Sequence, residues 1–189
     1  MSPLLFNIAT ADVTDIISNQ QQVKMYIYAD DMVMVSKNIH DLQQSFDRLT
    51  AWANRNGLSI NENKTVPLVF RNGGKIKAQD YISYGEGRLQ TVTSFKYLGV
   101  TLQPTGRTFT MHVKDRAIAA TRAINDIKNP REISLETAMK LFRAKILPII
   151  TYGIHEIWDD LKKKDLAVWE KVKATYLKRI TGVSRYTPS

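Results

Sequence analysis

The sequence predicts an α+β fold in two parts: a small antiparallel sheet with flanking helices over residues 1–103, and an all-helical unit over residues 104–189. Three observations carry this prediction. Short β-rich runs alternate with helical periodicity in the first part, whereas the second shows helical periodicity alone. The two are separated by Gln103-Pro104-Thr105-Gly106, a stretch of helix and strand breakers. The charge changes at the same place. Residues 1–103 carry 10 basic and 9 acidic groups, residues 104–189 carry 17 and 9, and the whole chain is +9.

Taken in order, residues 3–17 read as one helix, with Leu4, Leu5, Ile8, Ala11 and Ile16 roughly on one side and Pro3 suited to the first turn. Residues 23–28 and 32–36 are two β-rich runs joined by a tight turn at Ala29-Asp30-Asp31. In residues 41–56, Leu42, Phe46, Leu49, Trp52 and Ala53 repeat at helical spacing, and Gly57 is a C-terminal cap. Residues 65–70 read as a strand, Asn72-Gly73-Gly74 as a turn, and 81–84, 88–90 and 95–102 as further short strands.

Beyond the breakers, Phe109, Val113, Ala117, Ala120, Ile124 and Ile127 mark a long helix that Asn129-Pro130 ends. Ser134 caps the next helix, whose apolar side is Leu135, Met139, Phe142 and Ile146, interrupted by Pro148 and Gly153. The last helix, about 162–181, presents Leu166, Trp169, Val172, Tyr176 and Ile180, with Gly182 just past its end. At this spacing Trp158 and Trp169 read as core residues, and His112 and His155 as structural or surface residues.

Composition excludes several kinds of function. The 189 residues contain no cysteine, which removes disulfides, thiol nucleophiles and zinc sites built on Cys ligands. His40, His112 and His155 are too widely spaced to form a metal cage. No run of about 18 apolar residues is present, so no membrane span is expected. The first residues lack a basic stretch and soon meet Asp12 and Asp15, so no secretory leader is expected. A basic half on such a chain points to a polyanion, most often nucleic acid.

The chemistry is concentrated at Tyr28-Ala29-Asp30-Asp31. Adjacent carboxylates on a tight turn repel one another unless something offsets the repulsion, and a divalent cation does so. Mg²⁺ takes carboxylate oxygens together with water and phosphate oxygens, so such a turn suits phosphate chemistry. An exposed turn with chance Asp residues is the plainer reading. Two hydrophobic arms, Met25-Tyr26-Ile27 and Met32-Val33-Met34-Val35, weigh against it.

This stretch resembles the catalytic hairpin of reverse transcriptases, specifically those of non-LTR (LINE-type) retrotransposons. Other segments share the resemblance, in the same order. Ser2-Pro3-Leu4-Leu5-Phe6-Asn7 looks like the end of the preceding motif, which contacts template and nucleotide. The stretch from Gly57 to Thr65 is similar to the next motif, and Phe95-Lys96-Tyr97-Leu98-Gly99-Val100 looks like the primer-grip hairpin. Ile149-Ile150-Thr151-Tyr152-Gly153 through Trp158, and the stretch from Leu177 to Val183, resemble the thumb and the segment after it.

The resemblance implies a palm with an antiparallel sheet over residues 1–103 and a thumb-like helical unit over 104–189. It also implies RNA template, DNA primer and deoxynucleoside triphosphates as partners, and Mg²⁺ or Mn²⁺ as cofactor. Asp30 and Asp31 would ligate the metal, and Lys64 would assist the leaving pyrophosphate. Tyr28, Ser2, Pro3, Phe95, Tyr97, Leu98 and Gly99 would hold primer and template. Lys162, Lys163, Lys164, Lys171, Lys173, Lys178 and Arg179 are candidates for phosphate contacts. Nucleus or cytoplasm would be the place of work.

In this family a further metal-binding aspartate lies on a strand ahead of the segment resembled here, and fingers close over the nucleotide. Asp12 and Asp15 are poor substitutes, because they fall on a predicted helix. The expectation is therefore that these residues alone do not polymerise. The alternative is a non-catalytic module that binds RNA or an RNA–DNA duplex.

Overall fold

The computed structural model describes residues 3–18, 22–71, 74, 81–106 and 108–184, excluding the side chains of Pro3, Leu4 and Ser18. The chain divides into two units: Met1–Val69 with Gly74–Val92, and Phe70–Gly73 with Thr93–Ser189.

The first unit opens with helices α1 (Pro3–Ala9) and α2 (Val13–Ser18). The single helix expected over 3–17 is broken at Thr10. The Thr10 hydroxyl donates to the Phe6 carbonyl at 2.9 Å, and Asp12 is drawn to Trp52, whose indole N–H lies 3.2 Å from both carboxylate oxygens. Strands β1 (Val23–Tyr28) and β2 (Asp31–Ser36) come next as an antiparallel hairpin.

Helix α3 (Ile39–Arg55) starts at Asn38, whose side chain accepts from the His40 N–H at 2.9 Å. Its apolar face, Phe46, Leu49, Trp52 and Ala53, is buried against Val13 and Ile17 of α2 and Val23 of β1. A fully buried Phe46 contributes about 2–3 kcal/mol, so this face anchors the hairpin's root. A two-stranded hairpin, β3 (Ser83–Tyr84) and β4 (Gly87–Arg88), completes the unit with Ile82 and Leu89 in the same core.

The second unit begins with the hairpin β5 (Phe95–Tyr97) and β6 (Val100–Leu102). Helices α4 (Thr110–Asn125) and α5 (Leu135–Leu141) come after it, then a widened π turn (Phe142–Ile146), α6 (Leu147–Ile150), α7 (Ile154–Ile157) and α8 (Lys163–Thr181). Ala117, Ala120, Ala123 and Ile124 of α4 share one core with Val172, Tyr176 and Ile180 of α8, and small residues let the two helices approach closely. Tyr176 crosses to α5, where its hydroxyl donates to the Ala138 carbonyl at 2.6 Å.

Several expectations are corrected. In place of a single antiparallel sheet, the described residues form three separate two-stranded hairpins. Residues 65–70 form no strand. Pro67 lacks an N–H, and its carbonyl accepts from the Val92 amide at 3.2 Å, a lone bond rather than a ladder. The stretch 95–102 turns back at Leu98-Gly99. Leu135 and Met139 are exposed, while Ala138 and Ile146 are buried. The cause is the π turn ahead of Pro148, which shifts the phase of the buried stripe where proline cannot continue an α-helical ladder. Trp158 is 58% exposed, so of the two tryptophans read as core only Trp169 packs against it. His112 is buried and His155 exposed, in keeping with their reading. The turn expected at Asn72-Gly73 lies outside the described residues.

Candidate active site and nucleic-acid interface

Residues paired across β1 and β2 share a face. Met25 with Met34 and Ile27 with Met32 form the face that packs on the first unit's core. Lys24 with Val35, Tyr26 with Val33 and Tyr28 with Asp31 form the opposite face. Tyr28 is 64% exposed, and Asp30 and Asp31 are exposed as well. The hairpin thus offers two carboxylates and a tyrosine at its open end while its other face secures it to α3.

The turn itself is strained. Ala29 has φ +52°, a left-handed conformation that usually selects glycine or asparagine. Such a residue costs roughly 1 kcal/mol and persists only where its surroundings impose it. Here the pair Tyr28–Asp31 closes a two-residue loop, and the loop fixes where Asp30 stands relative to Asp31.

Among the described residues neither Asp30 nor Asp31 takes part in a salt bridge, and no group of three or more potential metal ligands gathers anywhere. Two adjacent, exposed carboxylates are hard oxygen donors of the kind Mg²⁺ accepts alongside water and phosphate oxygens. They fit part of a divalent-metal site.

The remaining sequence candidates fall in three places. Lys64 is exposed on a helical turn of the first unit, where its N–H donates to the Asn61 carbonyl at 3.1 Å. Phe95, Tyr97, Leu98 and Gly99 form the β5–β6 hairpin of the second unit. Leu98 (φ +45°) and Gly99 (φ +82°) are both left-handed, the pattern of a tight two-residue turn, and Leu98 is 39% exposed at its tip. The basic candidates line α8 and its start. Lys164, Lys171 and Lys178 recur every seven residues and so lie along one side of the helix. Lys162 and Lys163 are exposed at the helix start. Lys173 lies 3.6 Å from Glu170. Arg179 donates to the Asn125 and Ile127 carbonyls at 3.1 and 3.3 Å, capping the C-terminus of α4. Ser2 and the Pro3 side chain lie outside the described residues.

Another cluster joins His112, read from the sequence only as structural or surface, to Tyr152, which falls in the thumb-like stretch Ile149-Ile150-Thr151-Tyr152-Gly153. His112 on α4 is buried; its Nδ1 accepts from the Thr101 N–H at 3.2 Å and its Nε2 lies 2.9 Å from the Tyr152 carbonyl. A carbonyl only accepts, so Nε2 carries the proton and the ring is neutral. Burial holds the His112 pKa below its ordinary value, against the raising effect of the Tyr152 hydrogen bond. Thr101 also donates from its hydroxyl to Asp115 at 2.7 Å. The β5–β6 hairpin is therefore bolted to α4 and to the turn at Tyr152.

Residues 1–102 match the family model for reverse transcriptase (RNA-dependent DNA polymerase). The chain belongs to the reverse transcriptase family. The match spans the β1–β2 hairpin, Lys64 and the whole β5–β6 hairpin, and it brings nucleic-acid template and primer and a divalent metal as the family's usual requirements. No curated protein and no solved structure is significantly similar to the chain. No helix among the described residues is long and apolar enough to cross a membrane.

Proposed function

We propose that this reverse transcriptase chain is of the non-LTR retrotransposon type. In this reading it supplies the catalytic hairpin and primer grip of a palm over residues 1–103, and a thumb-like helical unit over 104–189. The observation that carries the reading is the β1–β2 hairpin: two adjacent carboxylates and Tyr28 exposed at the end of arms whose other face is buried.

Asp30 and Asp31 would hold Mg²⁺ or Mn²⁺, which when bound neutralises charge on the transferring phosphoryl group and favours the attacking oxygen as a nucleophile. Tyr28, on the same face as Asp31, would support the primer end. Lys64 would offset charge on the departing pyrophosphate. Phe95, Tyr97, Leu98 and Gly99 would hold the primer strand, and the α8 lysines would track the phosphate backbone. Because the described residues gather no three-ligand cluster, these 189 residues by themselves are expected to bind the ion weakly and to leave a primer unextended.

A second reading is a non-catalytic RNA or RNA–DNA binding module, favoured by the basic excess of residues 104–189. A DNA primer annealed to RNA and carrying a photoreactive 3′ nucleotide separates the two. Crosslinks to the peptide spanning residues 25–34 support the polymerase reading. Crosslinks confined to α8 support the binding module, and their complete absence contradicts both.

A further inference from the structure

The turn at residues 151–153 closes over the β5–β6 hairpin. The Tyr152 hydroxyl donates to the Leu98 carbonyl at 2.9 Å. Its ring lies on Gly99, where an added Cβ would stand 2.6 Å from Tyr152 Cε1. The Arg116 guanidinium sits 5.7 Å from the centre of the same ring. Gly153, at φ +73°, brings the chain so near β6 that a Cβ there would stand 2.8 Å from Val100 Cγ2. Beneath, His112 ties the Tyr152 carbonyl to the Thr101 amide.

This grip falls on a strained residue. Leucine rarely adopts positive φ, because its Cβ crowds the following carbonyl. Leu98 adopts it without a side-chain hydrogen bond of its own, and its carbonyl is the group that Tyr152 binds. Strain of this kind persists where neighbours over-determine it, and it accompanies sites that present a side chain in a required direction.

We propose that Tyr152 is the positioning residue of the β5–β6 hairpin, holding the Leu98-Gly99 turn left-handed so that Leu98 is presented to the primer strand. The part concerning the primer rests on the primer-grip reading above; the part concerning the turn does not. Tyr152 acts through Leu98 and is not itself assigned a contact with the reacting atoms. A turn outside the family-matched residues thereby sets the conformation of a hairpin inside them, both within the second unit.

The test uses the full chain and removes one hydroxyl. In Tyr152→Phe, amide exchange at Val100 and Thr101 is expected to quicken about fivefold, the factor one neutral hydrogen bond commonly carries. The α4 and α8 amides should keep their rates. A Leu98→Asn/Tyr152→Phe double variant supplies a residue that accepts left-handed φ, and it should restore the slow exchange. A merely structural role for Tyr152 would not be rescued this way. Unchanged exchange in Tyr152→Phe, or no rescue by Asn, overturns the proposal.

A photoreactive side chain at position 98 then tests the primer. It should label the DNA strand of an RNA–DNA duplex at one or two nucleotides, and in the Tyr152→Phe background the labelling should spread at unchanged affinity. If position 98 labels nothing while exchange responds as described, the primer-grip reading fails and the positioning role stands.

Discussion

Tyr28 and Asp31 form the last cross-strand pair of the β1–β2 hairpin, on the face turned away from the core. Only Ala29 and Asp30 lie between them, so the strands' own register decides how the two carboxylates stand. The repulsive pair is presented by a hairpin whose other face is fixed by Met25, Ile27, Met32 and Met34. A turn made this way tolerates little change in its loop.

Ala29 is the position where that intolerance can be measured. Valine at φ +52° adds a branched Cβ in a conformation that branched residues avoid. Ala29→Val should lower stability by about 1–3 kcal/mol, read as a thermal shift, whereas Ala29→Gly should be close to neutral because relief of strain offsets glycine's added entropy. Equal stability in all three proteins would show that the turn is not strained.

Asp12 and Trp52 explain the break between α1 and α2. Asp12→Ala leaves a buried indole N–H without its acceptor and should cost about 1–3 kcal/mol. Asp12→Asn keeps an acceptor and should recover most of that loss. A thermal melt in which both variants match the parent would mean that the Asp12–Trp52 bond does not hold the break.

His112 gives the second unit a pH dependence of known sign. Its folded pKa lies below the unfolded value of about 6.5, chiefly through burial. As pH falls the unfolded chain therefore takes up the proton first. The stabilising contribution is complete above about pH 6.5 and is lost as pH drops toward the folded pKa. Neighbouring Arg116 and Lys96 push the same way as burial, while Asp115 opposes them. Melting temperatures of the parent and His112→Gln should converge as pH falls from about 7 to about 5. A constant gap would mean that His112 is not held neutral.

Arg179 caps α4, whereas Lys171, exposed on the same helix, is proposed to contact phosphate. Arg179→Ala should cost about 1–2 kcal/mol by uncapping α4, and leave the salt dependence of RNA–DNA binding as it was. Lys171→Ala should leave the melt unchanged and reduce the slope of log K against log salt by about 0.9. The reverse pattern would mean that the cap is dispensable and that the α8 lysines are only a solvated surface.

How much of the fold and site was legible depended on whether a feature is local. Helix α3 was readable because one apolar stripe and a glycine just past it define it, and Ser134 because its side chain accepts from Thr137 three residues on. The β1–β2 hairpin was readable because both arms are apolar and the turn is short. The failures were contacts distant in sequence or shifts of phase. The break at Thr10 depends on Trp52, forty positions from Asp12. The buried side of α5 depends on a widened turn that no fixed period anticipates. Segment 65–70 has strand-like composition, but Pro67 leaves it without a ladder. Among the candidate site residues, Tyr28, Asp30 and Asp31 came from one short motif. The link of His112 and Tyr152 to the β5–β6 hairpin did not, because neither a lone histidine nor the thumb-like stretch around Tyr152 shows its partner until folding brings them to Thr101 and Leu98.

Asp30 and Asp31 are proposed above to form part of a divalent-metal site. Mn²⁺ titration of the isotopically labelled chain tests it most directly, because paramagnetic broadening reports binding whether or not the chain polymerises. Selective broadening of the Ala29, Asp30 and Asp31 amides is expected at low Mn²⁺, lost in Asp30→Asn with the fold intact. Broadening centred elsewhere, or at the hairpin but unchanged by Asp30→Asn, would contradict the claim.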